Sequence, residues 1–195
     1  MNIVQKLSEN TKDFLENFFE ILEEFERDIG NLEDSNSIGE LFINQLTIHH
    51  NVGIKISENI LDFTTNPIIE DFARVIITTY NSEIDEMEEI KEDSIEVKNQ
   101  KYDIKLYLME FERIYKNMIL KMKESQTGNN LNLNFITQIL PLYEGGILMA
   151  KNVLRFNICD KLKKLAEDII TAHNIKLKEI RQFQKSVQNQ GYNRY

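Results

Sequence analysis

The chain has 195 residues, 42% of them hydrophobic and 28% charged, with a net charge of −9 and only 7 Gly and 2 Pro. That length suits one globular domain or two small ones, and such sparse punctuation disfavours a many-stranded sheet and favours long helices. The single cysteine, Cys159, excludes an internal disulfide and a multi-cysteine zinc site.

The periodicity predicts a first amphipathic helix from Ile3 to about Leu32. Val4, Leu7, Phe14, Phe18, Ile21, Leu22, Phe25 and Ile29 fall mostly at steps of three and four, before Gly30 and the Asp34-Ser35-Asn36 cluster end it. Ser37-Ile-Gly-Glu40 has the form of a capping box. The helix it opens runs to about Phe63, with Leu41, Phe42, Gln45, His49, Val52, Ile56 and Ile60 on one face. Asn66-Pro67 starts a third helix, to about Lys91, whose inner face carries Phe72, Ala73, Ile76, Tyr80, Glu83, Ile84 and Met87. The acidic run from Glu86 to Glu96 reads as a solvated helix end and loop.

A fourth helix spans about Tyr102 to Glu124 and ends at Thr127-Gly-Asn-Asn130. A fifth runs from about Asn134 to Phe156 with Pro141 inside it, an expected kink costing about 3 kcal/mol. The sixth runs from Asp160 to about Gln188, and the tail NQGYNRY is expected to fray. The fold class is therefore all-α, a bundle of six helices.

The six helices form two sets of three. Phe42 to Leu61 (FINQLTIHHNVGIKISENIL) recurs as Phe135 to Leu154 (FITQILPLYEGGILMAKNVL) at a constant offset of 93, and the register continues through Ile76-Ile77-Thr78 on Ile169-Ile170-Thr171. A fixed offset of this length marks a repeated supersecondary unit. The expected division is a first three-helix repeat over 1–98 and a second over 99–195, joined as one compact unit. The first holds 23 acidic and 7 basic side chains (−16), the second 9 and 16 (+7). Opposite charges of this size would draw the halves together within a Debye length of about 8 to 10 Å. The acidic half would also compete with phosphates, which disfavours nucleic acid.

In each predicted hairpin a histidine, a carboxylate and a tyrosine fall near mid-length. His49 is level with Tyr80, and Glu83 is one turn further. In the second hairpin Leu142 is level with His173, and Glu144 is within about a turn. Residues 42–87 and 135–180 resemble two copies of the bacterial domain-of-unknown-function family numbered 305, whose core reads roughly F-x-x-x-M-I-P-H-H-x-G-A-I-x-M-A, then A-x-x-I-I-x-x-Q-x-x-E-I-x-x-M. The first copy keeps Phe42, His49, His50, Ile54, Ala73, Ile76, Ile77, Glu83, Ile84 and Met87. The second keeps Phe135, Pro141, Gly145, Ile147, Met149, Ala150, Ala166, Ile169 and Ile170, but has Leu142 and Tyr143 for the histidine pair and Lys176 and Ile180 for Glu and Met. The resemblance implies a ferritin-like helical bundle and, from the copper-binding members, histidine and methionine ligands.

Two readings follow. In the first the chain is a non-enzymatic binding or scaffold module with largely decayed metal positions, and His49 and His50 are core histidines satisfied by Glu83 or Tyr80. In the second it binds copper or zinc through His49, His50, Glu83 and Met87, with Glu144, Met149 and His173 as a further set. A di-iron centre lacks its Glu-x-x-His motif, since residues 46 and 170 are Leu and Ile. No phosphate loop or serine elbow is present. Gly53, Gly145 and Gly146 are expected to allow close helix approach. The partners expected are a metal ion and a second copy of the chain, with no membrane, since no apolar run reaches spanning length. No signal peptide is expected, and a reduced, cytoplasmic setting is the simplest.

Overall fold

A computed structural model describes residues 7–125 and 128–192, and their side chains up to residue 185. Ile3, Val4, Thr127 and the last three residues of the tail lie outside the described residues. Among those described there are seven helices and no strand: α1 (Glu9–Gly30), α2 (Ile38–Leu61), α3 (Pro67–Glu89), α4 (Lys91–Glu96), α5 (Lys101–Lys123), α6 (Leu131–Val153) and α7 (Asp160–Tyr192). The all-α bundle is as the periodicity predicts. The seventh element is α4, which replaces the expected acidic loop. It forms because Ser94 is buried there, its backbone oxygen accepting from the Ser37 hydroxyl at the start of α2. The sixth predicted helix also continues beyond Gln188 into the expected tail, reaching Tyr192.

Local signals place the helix starts. The Ser37 hydroxyl accepts from the Glu40 amide, as a capping box requires, but the Glu40 carboxylate bonds the Ser35 hydroxyl instead of reaching back. Asn66 caps α3 through the amide of Ile68, with Pro67 at the first helical position. Asn130 caps α6 and sets its start three residues before Asn134. Pro141 has no amide hydrogen for the Thr137 carbonyl, yet α6 runs through it unbroken.

The central pair is α2 and α6. The first touches α1, α3 and α6, and the second touches α2, α5 and α7. Two apolar clusters fill the interior, and each draws on both halves of the sequence. One joins Phe14, Phe18, Ile76 and Tyr80 with Phe135, Leu142 and Ile180; the other joins Ile38, Leu46 and Met87 with Met149, Ala166 and Ile169. The charge asymmetry contributes little by comparison. Among the described residues, two exposed lysine pairs bridge the halves, Lys123–Glu26 at 2.8 Å and Lys161–Asp93 at 2.5 Å, and exposed pairs are worth at most about 1 kcal/mol.

The offset of 93 reappears in the contacts. Helices α2 and α6 start at Ile38 and Leu131, and α3 and α7 at Pro67 and Asp160. The Asn59 amide donates to the Phe14 carbonyl at 3.0 Å, and the Asn152 amide to the Tyr107 carbonyl at 3.1 Å. Phe14 meets Phe63 edge-on at 5.9 Å, and Tyr107 meets Phe156 edge-on at 5.8 Å. Across the α2–α6 seam the relation becomes reciprocal. A Cβ on Gly53 would lie 3.0 Å from Leu142, and one on Gly146 would lie 3.0 Å from His49. Contacts exchanged in this way are those of a two-fold axis.

One pair breaks the relation. The Tyr107 hydroxyl donates to Gln45 at 2.6 Å, while Gln138, the counterpart of Gln45, is buried with neither amide atom bonded, and Phe14 stands where Tyr107 would. Tyr107→Phe is expected to cost about 1 to 3 kcal/mol in urea denaturation, because it orphans the buried Gln45 oxygen. An unchanged midpoint would show that this bond contributes nothing.

Candidate metal centre

All three histidines of the chain meet at the seam between the halves. His49 and His50 come from α2, Glu83 from α3 and His173 from α7. Consecutive positions on a helix are turned by about 100°, so His49 and His50 face different neighbours. His49 turns to α6, where its Nε2 lies 2.9 Å from the Leu142 carbonyl. His50 turns to α3, stacking on the Tyr80 ring at 4.2 Å and 9° and placing its Nε2 2.7 Å from Glu83 Oε2. His173 Nε2 reaches the same oxygen at 3.2 Å. The two α2 histidines touch through their Nδ1 atoms at 3.2 Å. One donor atom each from His50, Glu83 and His173 lies within 4.8 Å of the other two.

The site is closed to water. His49 and His50 are wholly buried, His173 nearly so, and Glu83 is 8% exposed. Burial lowers His49 to about 3, the neighbouring His50 acting in the same direction and the bond to the Leu142 carbonyl opposing. His50 is lowered by burial against the pull of Glu83. Burial alone would raise the Glu83 carboxyl, but the nitrogens of His173 and His50 beside it outweigh burial and bring it down to about 2. Burial raises the Tyr80 and Tyr143 phenols, so neither offers an anionic oxygen.

Hydrogen counting sharpens the geometry. The Leu142 carbonyl can only accept, so His49 Nε2 carries a hydrogen. The Nδ1–Nδ1 contact needs one hydrogen between its two nitrogens. The 2.7 Å approach of His50 Nε2 to Glu83 needs something positive between two lone pairs, and it is not aligned as a hydrogen bond. Three contacts therefore require three positive centres. Two neutral imidazoles and a carboxylate supply two hydrogens. A proton or a metal ion makes up the third.

The four rings around this point keep the offset of 93 but exchange their chemistry. His50 corresponds to Tyr143, and Tyr80 to His173. The stacked pair His50–Tyr80 is matched by Tyr143–His173, edge-on at 5.0 Å. Across the seam, His50–His173 at 6.0 Å is matched by Tyr80–Tyr143 at 5.8 Å. The counterpart of Glu83 is Lys176, which pairs with Glu179 at 2.7 Å. One side of the axis thus carries His, His and Glu, and the other Tyr, Tyr and Lys.

Four of the seven residues singled out in the sequence, His49, His50, Glu83 and His173, come together, and they form one site between the halves instead of one in each. Glu144 does not join it. It turns outward to Lys121 at 2.9 Å and Arg181 at 2.7 Å, and His173 takes Glu83 from the other half as its carboxylate. Met87 and Met149 are buried as apolar filler in the second cluster. The participant that side-chain motifs missed is the Leu142 carbonyl. Its signal was the repeat itself, since Leu142 is the counterpart of His49.

The family model of DUF305, a domain of unknown function, matches residues 25–91. Residues 25–91 form the segment similar to that family. It contributes α2 and α3, and so His49, His50 and Glu83, while His173 lies outside it. A solved structure described as CopM in the Ag-bound form, obtained by soaking, is similar to 78% of this chain and 98% of its own length, with a TM-score of 0.57 and 22% identity. At that identity the likeness is one of fold. No curated protein matches the sequence.

Proposed function

We propose that the chain is a metal-binding helical protein without catalytic chemistry, and that it takes one divalent copper or zinc ion between His50, Glu83 and His173. The carrying observation is the 2.7 Å contact of His50 Nε2 with Glu83 Oε2, where the hydrogen count is one short. Two imidazoles and a carboxylate suit zinc or divalent copper better than a soft monovalent ion. A tetrahedral ion with bonds of about 2.0 to 2.1 Å holds its ligand atoms about 3.3 Å apart. The 3.2 Å pair fits as it stands, and the 2.7 Å pair must open slightly. The DUF305 segment and the likeness in fold to a protein solved with silver support a metal-related role. The burial of every donor away from solvent supports binding over catalysis. The reciprocal contacts support an origin of the two halves from one three-helix unit.

Titration of the metal-free full chain with Cu²⁺, and separately with Zn²⁺, tests this by calorimetry. One equivalent is expected in the wild type and no tight uptake in His50→Ala or His173→Ala. A wild type that takes up neither ion returns the chain to the scaffold reading.

A further inference from the structure

We propose that His49 is a positioning residue, which fixes the tautomer of His50 so that its Nε2 presents a lone pair to the ion, and that it is not itself a ligand. This rests on the metal reading above. Both nitrogens of His49 are already engaged, Nε2 by the Leu142 carbonyl at 2.9 Å and Nδ1 by His50 at 3.2 Å, so no lone pair is left for an ion. The carbonyl dictates the direction of the chain. Because it can only accept, the His49 hydrogen sits on Nε2, and Nδ1 is left as an acceptor. His50 must then donate through Nδ1, which strips Nε2 and aims it at Glu83.

The ring of His49 is also held in place. Its Cε1 lies 3.0 Å from where a Cβ on Gly146 would stand, so α6 presents a bare backbone to it on one side and a carbonyl on the other. Outer-shell groups that orient an imidazole ligand in this manner typically change metal affinity 10- to 100-fold. Here the orienting carbonyl comes from the other half of the molecule, at the position equivalent to His49 itself.

Two substitutions separate positioning from ligation. Glutamine can accept from His50 and donate to Leu142 in place of the imidazole, and leucine can do neither. In Cu²⁺ titrations of the full chain, His49→Gln is expected to stay close to wild type and His49→Leu to bind about 10- to 100-fold more weakly. Both should keep one equivalent, and the nitrogen hyperfine pattern in electron paramagnetic resonance should show two imidazoles in all three proteins. A lost imidazole nitrogen in His49→Leu, or an affinity equal to wild type, overturns the proposal. A parallel arm needs no metal. Nitrogen-15 spectra of metal-free wild type are expected to show the His50 hydrogen on Nδ1, and those of His49→Leu to lose that preference. A bare His50 Nδ1 in the wild type overturns the assignment. Failure of copper to bind a wild type whose His50 carries its hydrogen on Nδ1 sinks the metal reading and upholds the tautomer assignment.

Discussion

The metal-free protein is expected to lose several kcal/mol of stability as the pH falls from 6.5 to 3. His49 sets the wider part of this window. Burial, with His50 adding to it, takes its pKa from 6.5 to about 3, so between these values the unfolded chain binds a proton that the folded one refuses. Stability is complete above pH 6.5 and is lost on the way to 3, at about 1.4 kcal/mol per unit, or roughly 5 kcal/mol in all. Structurally, Nδ1 of His49 is already receiving a hydrogen from His50, and a second has no place between them. Glu83 adds to the loss at the lower end. Its pKa is depressed from 4.5 to about 2, so its contribution is present above 4.5 and fades as the pH drops toward 2. Urea denaturation at pH 7, 5.5, 4.5 and 3.5 in the presence of a chelator measures the slope. His49→Gln should flatten the slope from pH 6.5 down to about 3, leaving below pH 4.5 only the portion due to Glu83. A wild type equally stable at pH 7 and pH 4.5 would show that His49 accepts a proton without cost.

Gly53→Ala is expected to destabilise the fold by about 3 kcal/mol, the upper end of the usual overpacking range. Its Cβ would fall 2.3 and 2.7 Å from two carbons of the Tyr80 ring and 3.0 Å from Leu142. Tyr80 is wholly buried and its ring is already stacked on His50 of α2 at 4.2 Å, so it cannot simply swing aside. The gain in helix propensity, about 1 kcal/mol, does not offset this. The counterpart substitution, Gly146→Ala, meets His49 at 3.0 Å and His173 at 3.3 Å, a close fit but looser than at Gly53. It should cost less in thermal melts while pressing on both imidazoles. At Gly30, where nothing lies within 4 Å, alanine should be neutral or stabilising. If Gly53→Ala melts no lower than Gly30→Ala, the close approach of α2 to Tyr80 is not a constraint.

Much of the bundle was legible in the sequence because its signals are local or periodic. Ser37, Asn66-Pro67 and the inner faces of α2 and α3 each state their role within a few residues, and the repeat states itself by offset. α4 was not legible, because what holds it is the distant Ser37 hydroxyl and not its own composition. The candidate site was half legible. Reading each hairpin by distance from its turn places His49, Tyr80 and Glu83 at neighbouring levels, which is correct. It says nothing of which way a ring points. It therefore left open which histidine meets Glu83, and it gave His173 a carboxylate, Glu144, that belongs to the surface. Both shortfalls arise from treating each half as self-contained. The α2–α6 seam decides which partners are available, and no pattern within one half encodes that seam.

The donors at the seam also arrive in a fixed order along the chain. His50 and Glu83 precede residue 98, and His173 follows ninety residues after Glu83, on the last helix. A polypeptide interrupted anywhere between them therefore owns a carboxylate and an imidazole but not the closing nitrogen. Uptake of an ion would certify that synthesis had reached α7 and that α7 had docked. On the metal reading, a nick in the α5–α6 connection that let the pieces drift apart would release the ion.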